Sequence, residues 1–195
     1  VPISGTPFQL GASNDTAAPV ALEGLKLEAP ALSTTKLVCA ARNYRKHAVE
    51  LSNPVPAEPL IFLKPHSALI GHGSAIALPT DQSELVHHEG ELAVVIGRRA
   101  RRLAPTDVHD HVLGYTVCND VTARDLQRRD GGFTRAKGFD TFAPLGPWID
   151  TDFRVSNQRL CVTVNDQLRQ DGALDEMLFD VSALVSWISH VMTLE

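Results

Sequence analysis

Residues 87–97 read HHEGELAVVIG. The run Leu-Ala-Val-Val-Ile is the strongest strand signature in the chain, and it opens directly behind two histidines and two glutamates. A carboxylate beside an apolar core is costly unless it is paired or holds a cation. Residues i and i+2 of a strand share a face, so Glu89 and Glu91 project side by side, with His87 on the same face. Two parallel carboxylates repel. Either one keeps its proton or a cation sits between them. The Glu-x-Glu spacing alone is also that of an ordinary polar strand face.

Around this stretch the chain reads as many short strands with few helices. KLVCAA (36–41), LIFLKP (60–65), ELAVVIG and YTVCNDV (115–121) are expected strands, and SALIGHGSAIALP (67–79) a turn and a further strand. RNYRKHAVEL (42–51) has helical spacing and ends at the Pro-rich SNPVPAEP. APTDVHDHVLG predicts a helix with Thr106 or Asp107 as N-cap and Gly114 as its stop. TARDLQRRD (122–130) predicts a helix or helical turn, and residues 131–148 a long Gly/Pro-punctuated loop. Residues 159–172 predict a hairpin around Asn165 and Asp166. Val181, Leu184, Val185 and Ile188 form a helical stripe facing a core.

The length of 195 residues suits one domain with a small appendage. Residues 1–32, rich in Ala, Pro, Ser, Thr and Gly, read as an N-terminal arm, and residues 33–195 as the catalytic domain. Hydrophobic residues at 44% and charged residues at 21% suggest neither disorder nor a membrane protein. The apolar runs are too short to span a bilayer. A net charge of −5 argues against a general nucleic-acid binder. The basic clusters at 98–102 and 124–130 read as solvated faces. Cys39, Cys118 and Cys161 are widely spaced and sit in strand-like contexts, so they read as reduced core thiols. No charged segment followed by an apolar one opens the chain, which makes a reducing cytoplasm the expected compartment.

Asp120, at the end of another strand in CNDV, can approach Glu89 and Glu91. Three carboxylates make a hard, oxygen-only site suited to Mg²⁺ or Mn²⁺. Such an ion acts as a Lewis acid towards a carbonyl. A His87-containing site of the cupin kind, suited to Fe or Zn, fits less well because His87 and His88 are adjacent. Upstream, Asn43, His47 and Glu50 fall at i, i+4 and i+7, one face of a helix on which Glu50 can reach His47. A carboxylate orienting an imidazole is the arrangement of a general base for water. The same spacing also suits a solvated face. Lys137 either neutralises an anionic substrate or is a surface lysine.

The ordered series ARNYRKHAVEL, PLIFLKPHSALIG, HHEGELAVVIG, GYTVCNDVTARDLQ, RAKGFDTFAPLGPW and VNDQLRQDG strongly resembles the fumarylacetoacetate hydrolase family, from about Leu27 to the last residue. The resemblance implies a mostly β domain with a few helices, of the family's rolled β-barrel kind, usually a homodimer. It implies Glu89, Glu91 and Asp120 as ligands of Mg²⁺ or Mn²⁺. The helix with His47 and Glu50 resembles the family's lid, and these two would be its water-activating dyad. Lys137 and Gln127 match positions that contact substrate oxygens or stabilise developing charge. Arg42, Asn43 and Lys64 also match motif positions. Three details depart from the family pattern: Ala41 for a Gly, Gly90 for an apolar residue, and Asp166 for a Gly. These are expected to affect stability more than chemistry. Relatives continue beyond the stretch matching Glu195, so C-terminal strands are expected to be missing here.

The resemblance implies a small 2-oxo acid as substrate and an enolate as intermediate. The first expectation is C–C hydrolysis of an acylpyruvate or related 2,4-dioxo acid. Oxaloacetate decarboxylation and isomerisation of 2-hydroxyhepta-2,4-diene-1,7-dioate in aromatic catabolism share the enolate and are the alternatives. A catalytically inactive binding or structural subunit is the reading from another class. No nucleic-acid or membrane partner is expected.

Overall fold

The apolar run that follows Gly90 forms the strand around which the domain is arranged. The computed structural model describes residues 21, 23–31, 36–45 and 54–195. Strand β5 (Gly90–Ile96) pairs antiparallel with β6 (Val112–Asn119), which sets Glu91 opposite Cys118. Strand β6 pairs antiparallel with β8 (Ala143–Asp150), and β8 runs parallel to the short β3 (Leu69–Ile70). The sheet order is therefore β3-β8-β6-β5. Three two-stranded pairs surround it. They are β1 (Leu37–Ala41) with β2 (Leu60–Lys64), β4 (Val86–His87) with β7 (Thr122–Ala123), and the hairpin β9 (Arg159–Val164) with β10 (Gln167–Ala173). The protein is mostly β with few helices, as the sequence predicts.

The described α-helices are α1 (Arg124–Asp130), α2 (Thr134–Lys137) and α3 (Val181–Val191). The Asp180 carboxylate caps α3 by accepting from the Ala183 amide at 2.8 Å. Val181, Val185 and Ile188 of the predicted stripe are buried with Val108 and Tyr115, and Leu92, Val94 and Ile96 of β5 pack on them. A second cluster, Val121, Ala123, Leu126, Ala136 and Phe142, lies under α1 and α2. Among the described residues no helix is long and apolar enough to cross a membrane.

Asn165 and Asp166 both have positive φ, 50° and 61°, as a two-residue type I′ turn requires. Gly90 has a structural reason. A Cβ there would run into Val162 and Leu160 of β9. The side-chain amide of Gln170 instead meets the Gly90 backbone, accepting from its N–H at 2.9 Å and donating to its carbonyl at 2.6 Å. The hairpin thus docks on the start of β5.

Five expectations need correction. Residues Pro105–His111 do form a helix, of the 3₁₀ kind, but neither Thr106 nor Asp107 is its N-cap, which is Ala104 with no side-chain cap. Gly114 lies inside β6 and stops nothing. A Cβ there would collide with the Asp150 carbonyl and Ile149, so the glycine serves close strand packing. Residues 131–148 are not one loop but hold α2 and most of β8. The register of β6 with β8 shifts between Tyr115 and Val117, and Pro147 sits in that irregularity, where a missing N–H does little harm. In 67–79 the strand is only Leu69–Ile70. Finally, the three cysteines are free, but Cys161 is exposed rather than in the core.

Candidate functional site

The pairing of β4 with β7 sets His87 opposite Thr122, and beyond it the Asp120 amide donates to the Glu89 carbonyl at 2.8 Å. The Glu89 amide donates to Asn119 Oδ1 at 3.0 Å. Two motifs 30 residues apart in the chain are thereby stitched together at their carboxylates. Strand β2 contributes Lys64, whose Nζ donates to Asp120 Oδ1 at 2.7 Å and to the Val121 carbonyl at 3.1 Å. Helix α2 contributes Lys137. Its Nζ donates to Glu89 Oε2 at 2.7 Å, to Thr122 Oγ1 at 2.8 Å and to Asp120 Oδ2. Arg124, the first residue of α1, donates from Nη2 to Glu89 Oε1 and from Nη1 to Gln127 Oε1, the latter at 2.7 Å.

These charges are deeply buried. Lys64 and Lys137 are each 3% exposed and Arg124 is 5% exposed. Aromatic rings close the cluster: Lys137 Nζ lies 5.0 Å from the Phe62 ring centre, Lys64 Nζ lies 6.0 Å from that of Phe142, and Phe62 stacks on Phe133. Burial pulls the Lys64 pKa down, and the Asp120 charge opposes that shift. Burial likewise pushes the Glu91 carboxyl up to about 8, with the Asp120 charge adding to the rise and Lys137 opposing it. Cys118, opposite Glu91, is pushed up to about 12, chiefly by burial. Burial also pushes the Cys39 thiol well above the ordinary range.

The structure therefore brings together Glu89, Asp120, Lys64 and Lys137, with Gln127 joined through Arg124. Glu91 lies within electrostatic reach of Asp120 and Lys137. Among the described residues no three His, Cys, Asp or Glu side chains are grouped so as to hold a metal ion. Instead the Lys137 ammonium lies between Glu89 and Asp120. Lys137 is no surface lysine. Asn43 is spent on the backbone: its Nδ2 donates to the Phe179 carbonyl at 2.9 Å and its Oδ1 accepts from the Phe179 amide at 3.0 Å. Arg42 follows β1 with a positive φ of 58°. His87 is exposed and outside the ion cluster. His47 and Glu50 lie outside the described residues.

Sequence reasoning missed Arg124 and Thr122. The cluster 124–130 reads as a solvated face, and Arg128 and Arg129 are indeed exposed, but Arg124 is buried against Glu89. A trace existed in the two-residue spacing of Asp120 and Thr122, which puts both on one face of an extended segment that leads into Arg124.

The chain is similar to several known proteins. A Mycobacterium tuberculosis protein, Rv2993c, is 47% identical over 176 residues, covering 89% of this chain and 66% of its own length. The oxaloacetate tautomerase YisK of Bacillus subtilis is 39% identical over 180 residues, covering 89% of this chain and 60% of its own. Among solved structures, 2-hydroxyhepta-2,4-diene-1,7-dioate isomerase from Mycobacterium marinum matches with 46% identity and a TM-score of 0.77, covering 86% of this chain and 62% of that one. The 5-carboxymethyl-2-hydroxymuconate delta-isomerase from Mycobacterium smegmatis matches with 44% identity and a TM-score of 0.87, covering 98% and 73%. The chain spans about two thirds of the length of the relatives it matches first. Residues 36–195, which hold every charge of the buried cluster, match the fumarylacetoacetate (FAA) hydrolase C-terminal family, and the chain belongs to that family.

Proposed function

We propose that the protein is an enzyme that moves a proton at the carbon next to the carbonyl of a small 2-oxo acid, through an enolate. Tautomerisation or isomerisation is the reaction put first, as in the names of its relatives. The observation that carries the proposal is the buried cluster in which Lys137 bridges Glu89 and Asp120. Buried charges of this density are a weak source of stability, and a site that binds anions and cations explains them better.

By donor chemistry, though not by their grouping in this arrangement, the residues suit a divalent ion. Glu89, Glu91 and Asp120 offer oxygen donors only, and an ammonium is already accommodated between two of them. These three would hold Mg²⁺ or Mn²⁺, which supplies Lewis-acid polarisation of the 2-oxo group when bound. Lys64, Arg124 and Lys137 set a positive potential for the anionic substrate, and Lys137 balances the charge that develops on the enolate oxygen. Gln127 holds Arg124 and thereby Glu89. Arg42 would contact the substrate carboxylate. Asn43 ties the segment ahead of His47 to Phe179. His47, oriented by Glu50, would take the proton from carbon and return it.

Hydrolysis of an acylpyruvate is the second reading, favoured by the three-residue spacing of His47 and Glu50. It uses the same dyad on a water molecule and releases pyruvate. Decarboxylation of oxaloacetate needs no attacking water. One experiment separates these. The protein is given enol-oxaloacetate, acetylpyruvate and 2-hydroxyhepta-2,4-diene-1,7-dioate, with EDTA or with Mg²⁺ or Mn²⁺. Loss of the enol without pyruvate supports the proposal. Pyruvate from acetylpyruvate moves it to hydrolysis, and pyruvate from oxaloacetate alone to decarboxylation. No turnover of any, also unchanged in Glu91→Gln, leaves a binding or structural role. Assembly as a homodimer belongs to the same proposal and is checked by light scattering.

A further inference from the structure

We infer that Lys137 is the built-in counter-cation of Glu89 and Asp120, and that a divalent ion enters the cluster by displacing its ammonium group. This inference rests on the proposed cation site and says how that site is loaded.

Lys137 Nζ donates to one oxygen of Glu89, one of Asp120 and the Thr122 hydroxyl. An ion chelated by the same carboxylates would compete for those oxygens and lie beside a like charge. Glu89 and Asp120 already have other partners on their remaining oxygens, Arg124 on Glu89 Oε1 and Lys64 on Asp120 Oδ1. The bridging oxygens are therefore the ones an ion must take.

Lys137 is also better placed to leave than Lys64. Lys64 closes the paired strand β2 and its side chain is wholly buried. Lys137 ends a helix of four residues that lies between Gly131, Gly132 and Gly138. The Phe62 ring, 5.0 Å from its ammonium, gives the displaced charge an alternative partner. Displacement thus performs two tasks. It frees the carboxylate oxygens, and it frees an ammonium group to meet the anionic substrate.

The test measures Mn²⁺ binding by calorimetry, using Mn²⁺ alone, on the wild type, K137M and K137Q. Without a competing ammonium, the fraction of protein competent for binding rises, and K137M is expected to bind Mn²⁺ about tenfold more tightly. Its melting temperature in EDTA should fall, and Mn²⁺ should raise it by more than in the wild type. K137Q keeps hydrogen-bond donors without the charge, and serves where K137M does not fold in EDTA. In the wild type, Mn²⁺ should raise acetylation of Lys137 by an amine-selective reagent while Lys64 stays protected. Wild-type binding of Mn²⁺ with equal or weaker binding by both variants overturns the displacement and leaves the cation site standing. Acetylation of Lys137 unchanged or lowered by Mn²⁺ overturns it likewise. If no form binds Mn²⁺, the cation site fails and the inference fails with it.

Discussion

Two of the interiors among the described residues are built on opposite terms. Under α3 the buried side chains include Val108, Tyr115, Val181, Val185 and Ile188, and the buried polar residues Ser186 and Ser189 carry hydroxyls. Ser186 Oγ donates to the Leu103 carbonyl at 2.8 Å and Ser189 Oγ accepts from the Leu103 amide at 2.9 Å. Around Asp120 the buried groups are Glu89, Lys64, Lys137 and Arg124, linked in one network. The first interior gains stability from apolar burial. The second spends desolvation energy on charges that hydrophobic residues of equal volume could replace. The contrast separates what holds the fold from what the fold carries.

Mutation sharpens the contrast. Asp120→Asn should have the largest effect, because it leaves Lys64 and Lys137 without a shared counter-charge. Breaking a buried ion pair costs about 3–5 kcal/mol, read by urea unfolding. Turnover of the 2-oxo acid should fall at least ~100-fold as transition-state charge stabilisation is lost. Ile188→Ala, in the other interior, should cost about 2–5 kcal/mol and leave kcat unchanged in the folded fraction. A matched loss of kcat there would erase the distinction between the two interiors. Gly90→Ala should cost about 1–3 kcal/mol by pushing the β9–β10 hairpin off β5, visible as a lowered melting temperature. Gln127→Ala removes one bond to Arg124, and should cost only about 1 kcal/mol with a modest fall in kcat.

The two interiors also differed in how they could be read from the sequence. The apolar one was legible because its signature is local. ELAVVIG gives β5, and the spacing of Val181, Val185 and Ile188 gives the buried face of α3. The hairpin turn at Asn165 and Asp166 was legible for the same reason. Failures fell where glycine or proline sits inside a strand rather than at a turn, as Gly114 in β6 and Pro147 in β8 do. The charged interior was legible only in its acids. Glu89 stands against an apolar run, and that cost shows in one dimension. Arg124 looks like any helix-surface arginine until Glu89, 35 residues earlier, is known to lie against it. The bridging position of Lys137 depends on three partners from separate segments, so no spacing rule reveals it.

The most direct measurement is the loss of enol-oxaloacetate absorbance catalysed by the protein, with EDTA or with Mg²⁺ or Mn²⁺, in the wild type and in Asp120→Asn. The expected result is acceleration by the wild type that needs the ion and disappears in the variant. An equal rate in EDTA, or full activity in Asp120→Asn, would contradict the assignment of the buried charges to cation-assisted enolate chemistry.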